Sequence, residues 1–217
     1  MLKPVITILL LNFAVLKLQA HVPIIPKADS STSNPLFLFS PLEKSRAVYT
    51  QFESADDVDV YQFSVTEAEL KNGEVPILIG SLVPACEVLK ELLISWVLVG
   101  PEQRKINLES VPNEITEMIR GANVGIIDYE INAQQGPIWR EEYTAHNYFR
   151  QKNKIIKINS PGTYQVYIRS QNKVAGDYVF EFGDKEIWSI WDILKTIYYY
   201  PTLIFEKEIE TQGCKTD

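Results

Sequence analysis

Asp56-Asp57-Val58-Asp59-Val60-Tyr61-Gln62-Phe63-Ser64-Val65 is the stretch on which the fold is decided. Strand side chains alternate between two faces, so Tyr61, Phe63 and Val65 point one way and Gln62 and Ser64 the other. One face is suited to a core and the other to water. The alternation returns near the far end, where Tyr164, Val166 and Ile168 oppose Thr163, Gln165, Tyr167 and Arg169. It returns again with Tyr178, Phe180 and Phe182, placing Val179 and Glu181 outside. Pro161-Gly162 suits a type II turn joining Lys154–Ile158 to Thr163–Arg169, and Asn172 to Gly176 makes the next turn. Three successive strands of this kind predict an all-β fold, an antiparallel β-sandwich of jelly-roll type.

Outward from these strands, Ala47 to Phe52, Trp96 to Val99 and Val124 to Ile131 read as further strands, and Ile77 to Val83 as one buried on both faces. Thr66 followed by Glu69 predicts one capped helical turn, ended by Asn72-Gly73. Cys86, Leu89 and Leu93, with Val88 and Leu92, are spaced as a short helix from about Ala85 to Ile94. The polar residues after Gly100-Pro101 predict a long loop. Pro23, Pro26, Pro35 and Pro41 around Ser30 to Asn34 predict an extended lead over 21–45, with Leu36 to Phe39 docking as an edge strand. Ile187, Trp188, Ile190, Trp191 and Leu194 recur at helical spacing, interrupted by Asp192 and Lys195 and stopped by Pro201. The expected organisation is therefore a segment 1–20, a lead 21–45, a sandwich 46–184 and an amphipathic, aromatic helical tail 185–217.

Residues 1–20 carry a basic Lys3, an apolar run from Val5 through Val15 and a small-residue exit at Leu18-Gln19-Ala20, the pattern of a secretory signal peptide. The run is broken by Asn12 and closed by Lys17, short of the roughly 20 apolar residues a span needs. The expected location is secreted or cell-envelope. The full chain has a net charge of −7; with Lys3 and Lys17 removed from the 21 basic side chains, 19 face 28 acidic ones, a net −9. Binding to phosphate backbones needs clustered Lys and Arg, so a nucleic-acid partner is excluded. Arg150-Gln151-Lys152-Asn153-Lys154 is read as a solvated edge.

Asp57-Val58-Asp59-Val60-Tyr61-Gln62-Phe63, Pro161-Gly162-Thr163-Tyr164-Gln165-Val166-Tyr167 and Ala175-Gly176-Asp177-Tyr178-Val179-Phe180 together give a chain that resembles the pre-peptidase C-terminal type of β-sandwich. Such domains are small modules of secreted bacterial proteins, often carried beside a protease. The resemblance implies a binding or targeting role, with an envelope or extracellular macromolecule or a glycan as partner. Its motifs cover the two ends of 46–184. The chain departs from the small module in the insertion near 85–94 and in having no peptidase sequence among its 217 residues.

Little sequence chemistry supports catalysis. Ser81 follows Gly80 without the Gly-x-Ser-x-Gly turn, and neither a His-Glu-x-x-His helix nor a glycine-rich phosphate loop is present. Glu141 and Glu142 near His146 read as a solvated pair. Two metal sites are conceivable. Asp56, Asp57 and Asp59 supply oxygens for Ca2+, with Asp177 or Asp184 adding more, or else make turn hydrogen bonds. Cleavage after Ala20 would leave His21 as an N-terminal chelator for copper, completed by His146, or both histidines are polar surface. Cys86 and Cys214 either form a disulfide in an oxidising compartment or remain a buried residue and a free thiol. Trp188, Trp191, Tyr198 and Tyr199 form a contact surface, for a peripheral membrane contact or as a cap on one end of the sandwich. The face opposite Tyr61 and Phe63 is the other expected contact surface.

Overall fold

The computed structural model describes residues 21–70, 73–101, 111–119, 125–141, 144, 146–205 and 214, with the backbone alone for 114 and 200–205. The expected signal peptide lies outside the described residues.

Two sheets face one another across a single dry interior. The larger contains β1 (Val22–Ile24), β3 (Arg46–Phe52), β12 (Gly176–Phe182), β5 (Val75–Pro84), β9 (Asn147–Arg150) and β8 (Ile138–Arg140), in that order. β10 (Lys154–Ile158) joins the free side of β5 beyond β9, so one long strand pairs with two short ones. The smaller sheet runs β2 (Leu36–Phe37), β4 (Val58–Val65), β11 (Gly162–Ser170), β6 (Ile94–Gly100) and β7 (Gly125–Ile131). Between them Tyr61 stacks on Phe180 at 4.3 Å, Phe52 on Tyr178 at 4.4 Å and Phe63 on Tyr164 at 5.5 Å. Phe63, Val166 and Phe180 share one buried cluster, which makes the fold the expected all-β sandwich. The two-residue period decides it, because aromatic rings on alternate positions of strands from both layers interdigitate.

Several local expectations are corrected. The three late strands form no hairpins: β10 lies in the large sheet, β11 in the small and β12 back in the large. Gly162 accordingly has φ 150°, well beyond the type II turn value, as the chain crosses between layers. Val179 and Glu181 do lie on the outer face, yet they are 2% and 0% exposed because other elements cover β12. Residues 85–93 form successive turns, with Cys86 N–H donating to Pro84, Leu89 to Cys86 and Leu92 to Leu89. Burial follows this three-residue step, at Leu89 and Leu92, while Val88 is exposed, so the apolar spacing served turns and not an α-helix. The polar stretch after Pro101 contains α1 (Asn113–Met118), whose Ile115 and Met118 seal the outer face of the small sheet against Val60, Val97 and Tyr167. That covers part of the contact face expected opposite Tyr61 and Phe63.

The lead is a working part of both sheets. β1 pairs in parallel with β3 and β2 with β4, so the lead covers one edge of each layer. Prolines are compatible with this because an edge strand needs only half its backbone hydrogen bonds. At the other end, α2 (Ile190–Phe205) runs through Pro201, where a stop was expected. Its start is capped reciprocally: Ser189 N–H donates to Asp192 Oδ2 at 2.7 Å, and Asp192 N–H to Ser189 Oγ at 3.2 Å.

Candidate functional site

The outer face of the large sheet carries an apolar patch where outer sheet faces are ordinarily polar. Ala47 and Tyr49 from β3, Val179 from β12, Leu82 from β5 and Tyr148 from β9 form a second cluster, with Ile25, Trp139, Trp188 and Tyr199 packed over it. The lead and the start of α2 roof this face. Between the lead and the strands a cleft of about 550 Å³ remains, reaching from Ile25–Asp29 across Tyr49 and Gln51 to Tyr148 and Asp177. Its back wall is aromatic. Its rim carries the exposed carboxyls of Asp29 and Glu53 against the ammonium of Lys27, and the buried Asp177 also lines it. Such a concavity offers acceptors to hydroxyl, amide or ammonium groups over an apolar wall.

Beside it, a hydroxyl, an imidazole and a carboxylate stand in a row. Ser45 Oγ is hydrogen-bonded to His21 Nδ1, and His21 Nε2 lies 3.3 Å from Glu181 Oε1. Ala47 lies between Pro23 and Glu181 in the sheet register and has no side chain beyond Cβ to block the imidazole. Gly80 makes room on the other side, where a Cβ would stand 2.9 Å from Glu181 Oε2. The row resembles a catalytic triad only in composition. Ser45 is 4% and Glu181 0% exposed, and none of the three lines the cleft, so no substrate carbonyl can reach the hydroxyl. Its evident work is to tie the start of the lead to the sheet.

A second polar group lies inside the sandwich. Asp59 has the parity of Tyr61 and Phe63 and therefore points into the core, where it is fully buried. Ser30 donates to its Oδ1 and Tyr178 to its Oδ2, and Tyr61 OH meets Tyr178 OH at 2.9 Å. Burial pushes the Asp59 carboxyl up to about 7; the Ser30 and Tyr178 hydroxyls oppose the rise, and Asp29 and Asp57 add to it. Burial, with help from Asp57, also raises Asp29. The sequence reading gives Asp59 either calcium or turn hydrogen bonds at the strand entrance, not a place in the core. Its odd-numbered parity was the available signal, and Ser30, from the lead, had none.

The suspected metal ligands do not converge. Asp56 pairs with Lys173 at 2.9 Å, Asp57 accepts the Glu53 N–H at 2.8 Å, and Asp59 faces inward. Asp56 and Asp57 lie in the turn before β4, whereas Asp59 lies within the strand and points to the core. His21 adjoins β1 and His146 precedes β9, four strand spacings away, roughly 19 Å. Among the described residues, no three His, Cys, Asp or Glu side chains gather to hold an ion. Glu141, read as solvated, is buried and accepts the Thr144 N–H and hydroxyl; Glu142 lies outside the described residues. Cys86 and Cys214 are joined as a disulfide, Cα to Cα 5.3 Å. Of the aromatic residues, Trp188 and Tyr199 pack on the sheet, whereas Trp191 and Tyr198 are 70% and 76% exposed.

No family model matches the chain, and no curated protein matches it. Among solved structures, it is similar to the pre-peptidase C-terminal domain of a collagenase from Bacillus anthracis, with 18% identity and a TM-score of 0.34 over 73% of this chain and 98% of that one. It is also similar to the Yersinia pseudotuberculosis-derived mitogen, with 10% identity and a TM-score of 0.25 over 63% of this chain and 92% of that one. Neither likeness extends to a ligand, a site or an activity, and the two-layered β-sandwich rests on the chain's own strands.

Proposed function

We propose that the protein is an exported, non-catalytic binding module that holds an envelope or extracellular macromolecule or glycan in the cleft under its lead. The observation that supports this reading is the cleft itself: an aromatic back wall of Tyr49 and Tyr148 on the sheet, with the Asp29 and Glu53 carboxyls at its rim and Asp177 buried beside them. The acidic rim favours ligands rich in hydroxyl or cationic groups, such as amino sugars or basic peptide segments. The disulfide fits an oxidising compartment. Ser45 and Glu181 are buried and neither they nor His21 lines the cleft, so this row offers no nucleophile or base to a ligand there.

Screening the native chain against immobilised glycans and basic peptides tests this, using Glu53→Lys and Gln51→Ala as partners to the native protein. Both side chains are exposed at the rim, so folding is preserved. The expected result is one retained ligand class, weakened about tenfold or more by Glu53→Lys, which reverses a rim charge. Retention undiminished in both variants would place the contact surface elsewhere.

A further inference from the structure

α2 turns Asp192 and Thr196 toward the protein and presents an apolar stripe to solvent. Trp188, Asp192, Thr196 and Tyr199, at helical spacing, face inward: Asp192 is 7% exposed and paired with Lys44, and Trp188 and Tyr199 pack on the sheet. Burial works against the Asp192 carboxylate, but the Lys44 and Ser189 hydrogen bonds outweigh it and hold its pKa below the usual range. The opposite stripe is Ile187, Ile190, Trp191, Leu194, Ile197 and Tyr198, each between 39% and 76% exposed. A helix serving only as a cap would bury that stripe and expose Asp192. So contiguous an apolar surface marks a contact.

Other features gather at the same end of the sandwich. His21, where residues 1–20 join the body, bonds to Ser45, next to the Lys44 that holds Asp192. Arg46 donates to the Phe39 carbonyl and lies within electrostatic reach of Asp192. Phe39 is 74% exposed and stacks on Phe37, 51% exposed. An exposed aromatic pair and the apolar helix thus share one end.

We infer that this end seats on a phospholipid bilayer, with α2 lying in the plane of the interface and Trp191 and Tyr198 at headgroup depth. Tryptophan and tyrosine suit that depth, having an apolar body and a polar tip. No helix among the described residues is long and apolar enough to cross a membrane, so the contact is peripheral. A bilayer is favoured over a second copy of the chain by shape. The stripe is a convex ridge one helix wide, whereas a stable dimer needs about 800 Å² per partner in close complementarity. A fluid surface accepts a ridge without a matching groove. Charge favours neutral lipid: Asp192 is neutralised by Lys44, Lys185 by Glu43, and the chain without Lys3 and Lys17 carries −9. Burial of apolar area, and not attraction to anionic headgroups, then drives the contact. This surface is separate from the cleft and stands or falls independently of it.

Co-sedimentation of the exported chain with phosphatidylcholine vesicles, together with tryptophan emission, tests the inference. The native chain is expected to bind, with a blue shift and little loss in high salt. A triple variant Ile190→Ser, Trp191→Ser, Leu194→Ser is expected to lower partitioning about tenfold or more while retaining its circular dichroism. Ile155→Ser, which removes a 55%-exposed apolar side chain from β10, is expected to change nothing. The inference is overturned if the native chain ignores neutral vesicles, if it binds only anionic vesicles and salt releases it, or if Ile155→Ser weakens binding as much as the triple variant. It is overturned equally if sedimentation equilibrium shows a dimer that the triple variant abolishes, with no vesicle binding by either form.

Discussion

Asp59 shows how a single parity decides a residue's chemistry. Two positions from Tyr61 along a strand, it must enter the core or break the register, and it enters with two hydroxyl donors. Its folded pKa of about 7 stands above the ordinary 3.8, so between those values the native state holds a proton that the unfolded chain has released. The contribution of Asp59 to stability is then greatest below about pH 4, declines as pH rises through about 7 and levels off above it. The change is on the order of 4 kcal/mol. Chemical denaturation of native protein and Asp59→Asn across this range is expected to show the decline in the first and a much flatter profile in the second. Parallel profiles would mean that another group sets the slope.

At the scale of elements, the tail is held at both ends by unlike forces. Trp188 and the Asp192–Lys44 pair seat the start of α2, and the Cys86–Cys214 disulfide returns the chain to the turns after β5. The bridge closes a loop over a sequence separation of 128 residues, for which the chain-entropy estimate is about 4 to 5 kcal/mol. Replacing both cysteines by serine is expected to lower the urea midpoint accordingly, with the β-sheet circular dichroism retained. The turns at 86–92 are reinforced from elsewhere: the Leu92 carbonyl accepts from both Gln135 and Gln151 side chains. That support from distant loops explains why a segment with helical apolar spacing closes as turns instead.

For the whole molecule, the largest buried cluster is shared by both sheets, smaller ones lie on each outer face, and β10, β11 and β12 alternate between the layers, so the chain ties them into one unit. Unfolding is expected to be a single cooperative transition, with tyrosine and tryptophan emission and far-ultraviolet circular dichroism changing together. Phe180→Ala, which removes a ring stacked between the layers, is expected to cost about 3 to 5 kcal/mol and shift both probes equally. Separate midpoints would indicate that the sheets unfold independently.

What the sequence by itself determined is whatever depends on neighbours along the chain. Alternation at 61–65, 164–168 and 178–182 specified the strands, their inward residues and hence a sandwich, and helical spacing specified α2. Only the tertiary structure decided which faces were covered. Glu181 reads as outward and is, yet His21 and the packing over the sheet bury it. α2 reads as amphipathic and is, yet Lys44 turns its polar side inward. The cleft, the Ser45–His21–Glu181 row and the Ser30–Asp59 bond each join residues far apart in sequence. Periodicity records the local pitch of the backbone, whereas these contacts arise when separate strands are laid side by side, and no period within one segment carries that information.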